Sequence, residues 1–194
     1  MPFRPEEKVN PGSWLGFKEA NITRIVNKKY KHDALKKLDV AISLDVETEG
    51  SKYPVELALF GNFDWESKNR IKSNGFLSAL YRFFDTINFN GGVNIEGEWV
   101  DENDNKIDDI VEYLNDHIAK NTEQYPYYVY VYEEEGKNGK SYSKVWRRIE
   151  KNNEEGRKSL QEYIDFCKNR GMLNENKGPS KTVNIDNSGG VKRV

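Results

Sequence analysis

Two observations predict a mainly β fold with helices. The segments "DVAISLDVE" (39–47) and "YPVELALFGNF" (53–63) alternate apolar and polar residues, as half-buried strands do. Two further β-rich runs, 127–134 and 141–149, flank an Asn-Gly turn signal. Between and after these pairs the period changes from two to that of a helix, at 73–88, 105–120 and 152–173. The order is strand, strand, strand, helix, strand, helix, hairpin, helix. No step in that order requires a parallel crossover. It predicts an α+β chain built on a five-stranded antiparallel OB-like barrel with inserted helices and a C-terminal helix.

Taken in order, residues 1–12 are polar and Pro-rich and read as an arm. The barrel domain is expected over 13–150. Its first strand is "SWLGFKEANITRIV" (13–26), with β-formers at its end, followed by a basic connector, "NKKYKHDALKK", with room for a helical turn. In the second strand Val40, Ile42, Leu44 and Val46 share one face, and "EGSK" turns the chain. In the third, Val55, Leu57 and Leu59 do the same, and Pro54 fits a strand start. Phe76, Leu77, Leu80, Phe83, Phe84 and Ile87 then lie at helical spacing, with Ser73 or Asn74 as N-cap. "GGVNIEGEWV" (91–100) reads as one short strand. Ile107, Ile110, Val111, Leu114 and Ile118 form a second helical stripe. The C-terminal helix, within 151–173, places Leu160, Tyr163, Ile164 and Cys167 on one side. From 174 to 194 the chain is rich in Asn, Lys, Gly and Ser without periodicity and reads as a disordered tail.

Hydrophobic residues make up 36% and charged residues 32% of the 194, enough for a core in a polar chain. No apolar run nears the roughly 18 residues that span a bilayer, and the first residues lack an apolar signal region. One cysteine, Cys167, excludes an internal disulfide. The expected setting is therefore the cytoplasm, or the host cytoplasm for a viral chain, with no membrane partner. The net charge of −2 is segregated: +4 over 1–31, −13 over 32–135 and +7 over 136–194. The local field, not the total, decides which polyanions a surface attracts.

The stretch "YPYYVYVYEEEGKNGKSYSKVWRR" (125–148) is the most unusual. Tyr128, Tyr130 and Tyr132 alternate with Val129 and Val131; Tyr142, Lys144, Trp146 and Arg148 alternate with Ser143, Val145 and Arg147. A two-residue turn would put the two aromatic sets on opposite faces. A three-residue loop with Gly139 left-handed brings them together, pairing Tyr132 with Lys144, Tyr130 with Trp146 and Tyr128 with Arg148. The second register leaves a consistent valine face for the core and is the expected one. The resulting surface of rings and cations suits single-stranded DNA, because every base offers a π-face and phosphates attract Lys and Arg. Lys137 and Lys140 at the turn belong to the same candidate site, as do Lys28, Lys29, Tyr30 and Lys31 in the connector. Trp14 and Phe17 fit either the core or the site. The competing reading is that the tyrosines cover a helix or a subunit interface.

The succession of "GSWLGF", "DVAISLDVE", "YPVELALFGNF", "GFLSALYRFFDTI" and "YVYVYEEEGKNGKSYSKVWRRI" resembles bacteriophage single-stranded-DNA-binding proteins of the OB-fold kind, over residues 13–149. The resemblance implies sequence-tolerant coating of exposed strands during DNA replication and recombination, without catalysis. Replication or recombination proteins and a second copy of the chain are the further partners it admits. The C-terminus departs from the family pattern: "SGGVKRV" is basic, where an acidic, aromatic-tipped tail recruits partners.

Other constellations carry less. Asp101, Asn103, Asn105 and Glu112 fall at calcium-loop positions, but Lys106 stands where the turn needs glycine. Asp45 with Glu66 and Lys68 imitates a metal-dependent nuclease triplet, in a chain where charged triplets are common. Two histidines, His32 and His117, and one cysteine exclude a Cys/His zinc site. No cofactor or metal is expected. An interaction module using the tyrosine hairpin is the alternative, and a nuclease the third reading.

Overall fold

The computed structural model describes residues 15–29, 33–67, 70–135, 139–174 and 178–179. Five strands form a closed barrel: β1 (Gly16–Asn27), β2 (Val40–Thr48), β3 (Val55–Gly61), β4 (Tyr127–Glu135) and β5 (Ser141–Lys151). Their order around the barrel is β1-β2-β3-β5-β4, closing on β1, and it is OB-like. Four neighbouring pairs are antiparallel. The fifth, β3 with β5, is parallel, with Glu56 opposite Lys144. The sheet is thus mixed, not wholly antiparallel as expected. A parallel pair needs a long connection, and the chain between β3 and β5 supplies it.

The alternation seen in the sequence fills the barrel. Val40, Ile42, Leu44, Val55, Leu57, Leu59, Val129, Val131 and Val145 are all buried in one core. Helix α1 (Asp33–Lys36) is a single turn in the basic connector. Helix α2 (Gly75–Thr86) starts at Asn74, whose side chain accepts from the Leu77 amide, and packs Leu77, Leu80, Phe83 and Phe84 on the barrel core. Helix α3 (Ile110–Ile118) is capped by Asp109 and buries Ile110, Leu114 and Ile118. Its Asn115 amide both accepts from the Ile25 N–H and donates to the Ile25 carbonyl, each at 2.9 Å. That satisfies a β1 residue on the edge away from β2, beyond the last pairing with β4.

Between β3 and β4 two small ribbons lie outside the barrel. Asp64–Ser67 pairs with Arg70–Lys72, which the sequence did not announce. The expected single strand at 91–100 is two, Gly92–Val93 and Trp99–Val100, folded against each other. Asn94 turns the chain by accepting from the Glu96 and Glu98 amides, and Gly97 takes φ 81°.

Helix α4 (Glu154–Asn169) begins at Asn153 and lies on β4 and β5. A β-carbon on Gly156 would sit 2.1 Å from the Lys151 carbonyl oxygen, so only glycine lets the helix start this close to the strand it follows. Leu160, Ile164 and Cys167 meet Tyr130, Trp146 and Leu173 in a second buried cluster. After α4, Leu173–Asn174 pairs with Gly178–Pro179, which lies against β4. Part of the expected disordered tail is therefore paired; the rest of 174–194, like the arm 1–12 and Trp14, lies outside the described residues.

Candidate nucleic-acid interface

The hairpin β4–β5 carries the expected register toward its turn, with Tyr132 opposite Lys144 and Val131 opposite Val145, and Gly139 has φ 71°. Farther along, the ladder shifts: Val129 faces Ile149, so Tyr130 stands against three residues, Trp146, Arg147 and Arg148. The expected pairs Tyr130 with Trp146 and Tyr128 with Arg148 do not form; Tyr128 faces Glu150. The cause lies in the alternation. In a regular strand Val145, Arg147 and Ile149 would all point into the barrel, burying an unpaired guanidinium at a cost of several kcal/mol. The bulge keeps Val145 and Ile149 inside and leaves Arg147 exposed, at φ 47°.

The second correction is the larger one. Tyr130 and Trp146 are 7% and 1% exposed, covered by α4, and cannot serve as an open stacking platform. The outer face of the hairpin is apolar enough to need a cover, and the helix supplies it. Tyr128 is half-buried, stacked on Phe17 at 5.8 Å with the Arg157 guanidinium over its ring. Phe17 also meets the Tyr130 ring edge-on at 4.9 Å, so it belongs to this cluster. Arg148 ion-pairs with Glu150, bonds Ser159 Oγ at 2.6 Å and lies over Tyr163, which ties β5 to α4.

Of the remaining candidates, Tyr132, Tyr142 and Lys144 line the parallel β3–β5 seam, and Lys28 reaches it through Glu56. Three adjoining clefts follow it. The first, about 490 Å³, is lined by Lys52, Tyr53 and Pro54 before β3 and by Ser141, Tyr142 and Ser143 on β5. Tyr53 and Tyr142 are 70% and 46% exposed, and the Lys52 ammonium lies 5.7 Å from the Tyr53 ring centre. The second, about 220 Å³, runs from Glu56 to Ala58 beside Tyr132, Lys144 and Arg147. The third, about 230 Å³, shares Leu57 and Arg147 with the second and reaches Arg82 on α2. Phe60, on the same strand, is 40% exposed.

Charge along the seam is partly compensated. Lys28 reaches Glu56 at 2.8 Å, and Lys144 reaches Glu134 at 2.5 Å. Partial burial alone would raise the Glu56 carboxyl, but the Lys28 ammonium, with Ser43 and then Lys144 adding less, outweighs it and holds the group below its ordinary value. Burial, with Glu134 adding to it, pushes the Tyr132 phenol up to about 12, so it stays neutral and apolar-faced. Among the described residues neither Arg147 nor Arg82 has a carboxylate partner. Lys140 is exposed at the start of β5, and Lys29 is half-buried with its amide bonded to Asn27. Tyr30, Lys31 and Lys137 lie outside the described residues.

Sequence reasoning missed Lys52, Tyr53, Arg82 and Arg147. The first two sit in a turn, and nothing local says that β5 runs beside it. Strict alternation places Arg147 on the core face. The calcium-like loop closes on itself: the Asp101 carboxylate accepts from the Asn103 and Asn105 amides and from Asn105 Nδ2. Glu66 of the nuclease-like triplet pairs with Arg70 on an outer ribbon, Asp45 is on β2, and Lys68 is outside the described residues. His117 ends α3 against the Ile87 carbonyl, and Cys167 is buried as a small apolar residue. Comparison with protein-family models, curated proteins and solved structures found no match.

Proposed function

We propose that the chain binds single-stranded DNA without catalysis, along the β3–β5 seam and not on the hairpin's outer face. The observation that carries this is the pair of exposed rings, Tyr53 and Tyr142, lining one cleft that continues into a track with Lys144, Arg147 and Arg82. Unpaired bases stack on such rings without regard to sequence, at roughly 1–3 kcal/mol per base. Cations beside them draw in the phosphates and make binding salt-dependent. Paired bases hide their faces, so duplex is a poorer ligand. Coating of exposed strands in phage DNA replication or recombination, in the host cytoplasm, is the role the family resemblance adds to this reading.

The test is titration of a fluorescent mixed-sequence oligonucleotide at several salt concentrations, single-stranded and as duplex. Single strand should bind well above duplex, with log affinity falling linearly against log salt. Equal affinity for the two forms would reduce the surface to a generic basic one.

A further inference from the structure

The third cleft differs from the other two. It lies where α2, β5 and α4 converge, and its volume of about 230 Å³ is below the roughly 300–1,000 Å³ of sites for drug-sized ligands. Three arginines line it, Arg82 from α2 and Arg147 and Arg148 from β5, and the Arg147 guanidinium also lies over the Trp146 ring at 4.6 Å. Consecutive strand residues ordinarily point to opposite faces. Here, at the bulge with Arg147 at φ 47°, two neighbours line the same cavity. A left-handed backbone at a non-glycine residue costs about 1–2 kcal/mol and persists only where the surroundings hold it. Glu150 balances Arg148, whose Nε–H still finds no acceptor. Arg82 and Arg147 leave two positive charges without a carboxylate among the described residues. Gly75, in the first turn of α2, lines the same cavity and adds the positive end of a helix dipole. Arginines set around one small space, with planar guanidinium forks, match a compact, multiply charged oxyanion.

We propose that this cavity binds one phosphate group, held by Arg82, Arg147 and Arg148. Only the source of the phosphate, a strand lying in the seam, rests on the function proposed above. The free protein is titrated with inorganic phosphate while the arginine Nε–H resonances are followed, with chloride at matched ionic strength as control. Saturable shifts are expected in the wild type and not with chloride. Arg82→Ala and Arg147→Gly should each weaken phosphate binding about tenfold or more, the scale of one lost charge-assisted hydrogen bond. Both side chains are exposed, and glycine accepts the left-handed backbone, so both variants should keep a cooperative melt. Shifts that do not saturate, that chloride reproduces, or that survive in both variants would overturn the site.

Oligothymidylate with a 5′-phosphate or a 5′-hydroxyl then separates the sources. Tighter binding of the 5′-phosphate form, erased by Arg82→Ala, assigns the strand's end. Equal binding of both, equally weakened by Arg82→Ala, assigns an internal phosphodiester. Saturable inorganic phosphate with no oligonucleotide binding keeps the site, assigns a free phosphate and removes the single-strand reading instead.

Discussion

At Glu56 a single carboxylate is held by Lys28 on one side and approached by Lys144 on the other. Its folded-state pKa is lowered, so its stabilising effect is present above the ordinary carboxylate value of about 4.3 and is lost as pH falls through the folded value. Melting temperature measured from pH 6 downwards should therefore drop less steeply below about pH 4.3 for Glu56→Gln than for the wild type. Parallel profiles would mean that the pair is solvated and contributes nothing. Tyr132, by contrast, is pushed up to about 12 and should show no phenolate absorbance at pH 10, where an exposed tyrosine is half ionised. Arg147, which lines two of the three clefts, was invisible to pattern reading. A period-two pattern assigns every second residue to one face, and an arginine between Val145 and Ile149 is the place where that rule had to break.

Among the elements, α4 decides which aromatics are available. It is fixed to the barrel by Arg148 to Ser159, by Arg157 to Glu19 at 2.5 Å and by the buried contact of Leu160 and Ile164 with Trp146. Trp146→Ala should lower unfolding free energy by roughly 3–5 kcal/mol, seen as a shifted urea midpoint, because it empties the centre of that contact. A change under about 1 kcal/mol would mean that α4 packs loosely. Gly156→Ala should also destabilise, by about 1–3 kcal/mol, since its β-carbon would press on the Lys151 carbonyl. The helix itself was legible: Asn153 caps it, and Leu160, Ile164 and Cys167 keep the spacing. Its docking place was not. An alternating strand of tyrosines looks the same whether water, DNA or a helix covers it, and only the chain's return over β4 and β5 decides between them.

For the whole molecule, the strands and helices follow from period, caps and turn residues, and the barrel from their order. The parallel β3–β5 contact did not follow, because its partners lie far apart in the sequence and only barrel closure brings them together. That contact is also the thinnest in the barrel, with Glu56 opposite Lys144 as its register. Its clefts therefore lie along a joint and not on a continuous sheet face. In the function proposed, the single strand lies on the seam and not on the tyrosine hairpin's outer face. The direct measurement compares oligonucleotide affinity for Tyr53→Ala and Tyr142→Ala with that for Tyr130→Leu and Trp146→Leu, which remove the ring but keep apolar bulk, each confirmed folded. Each seam variant should lose roughly 1–3 kcal/mol of binding with the salt slope retained, while the two buried-face variants bind as the wild type does. Loss of binding in Tyr130→Leu or Trp146→Leu, with Tyr53→Ala and Tyr142→Ala unaffected, would put the strand on the hairpin's outer face instead.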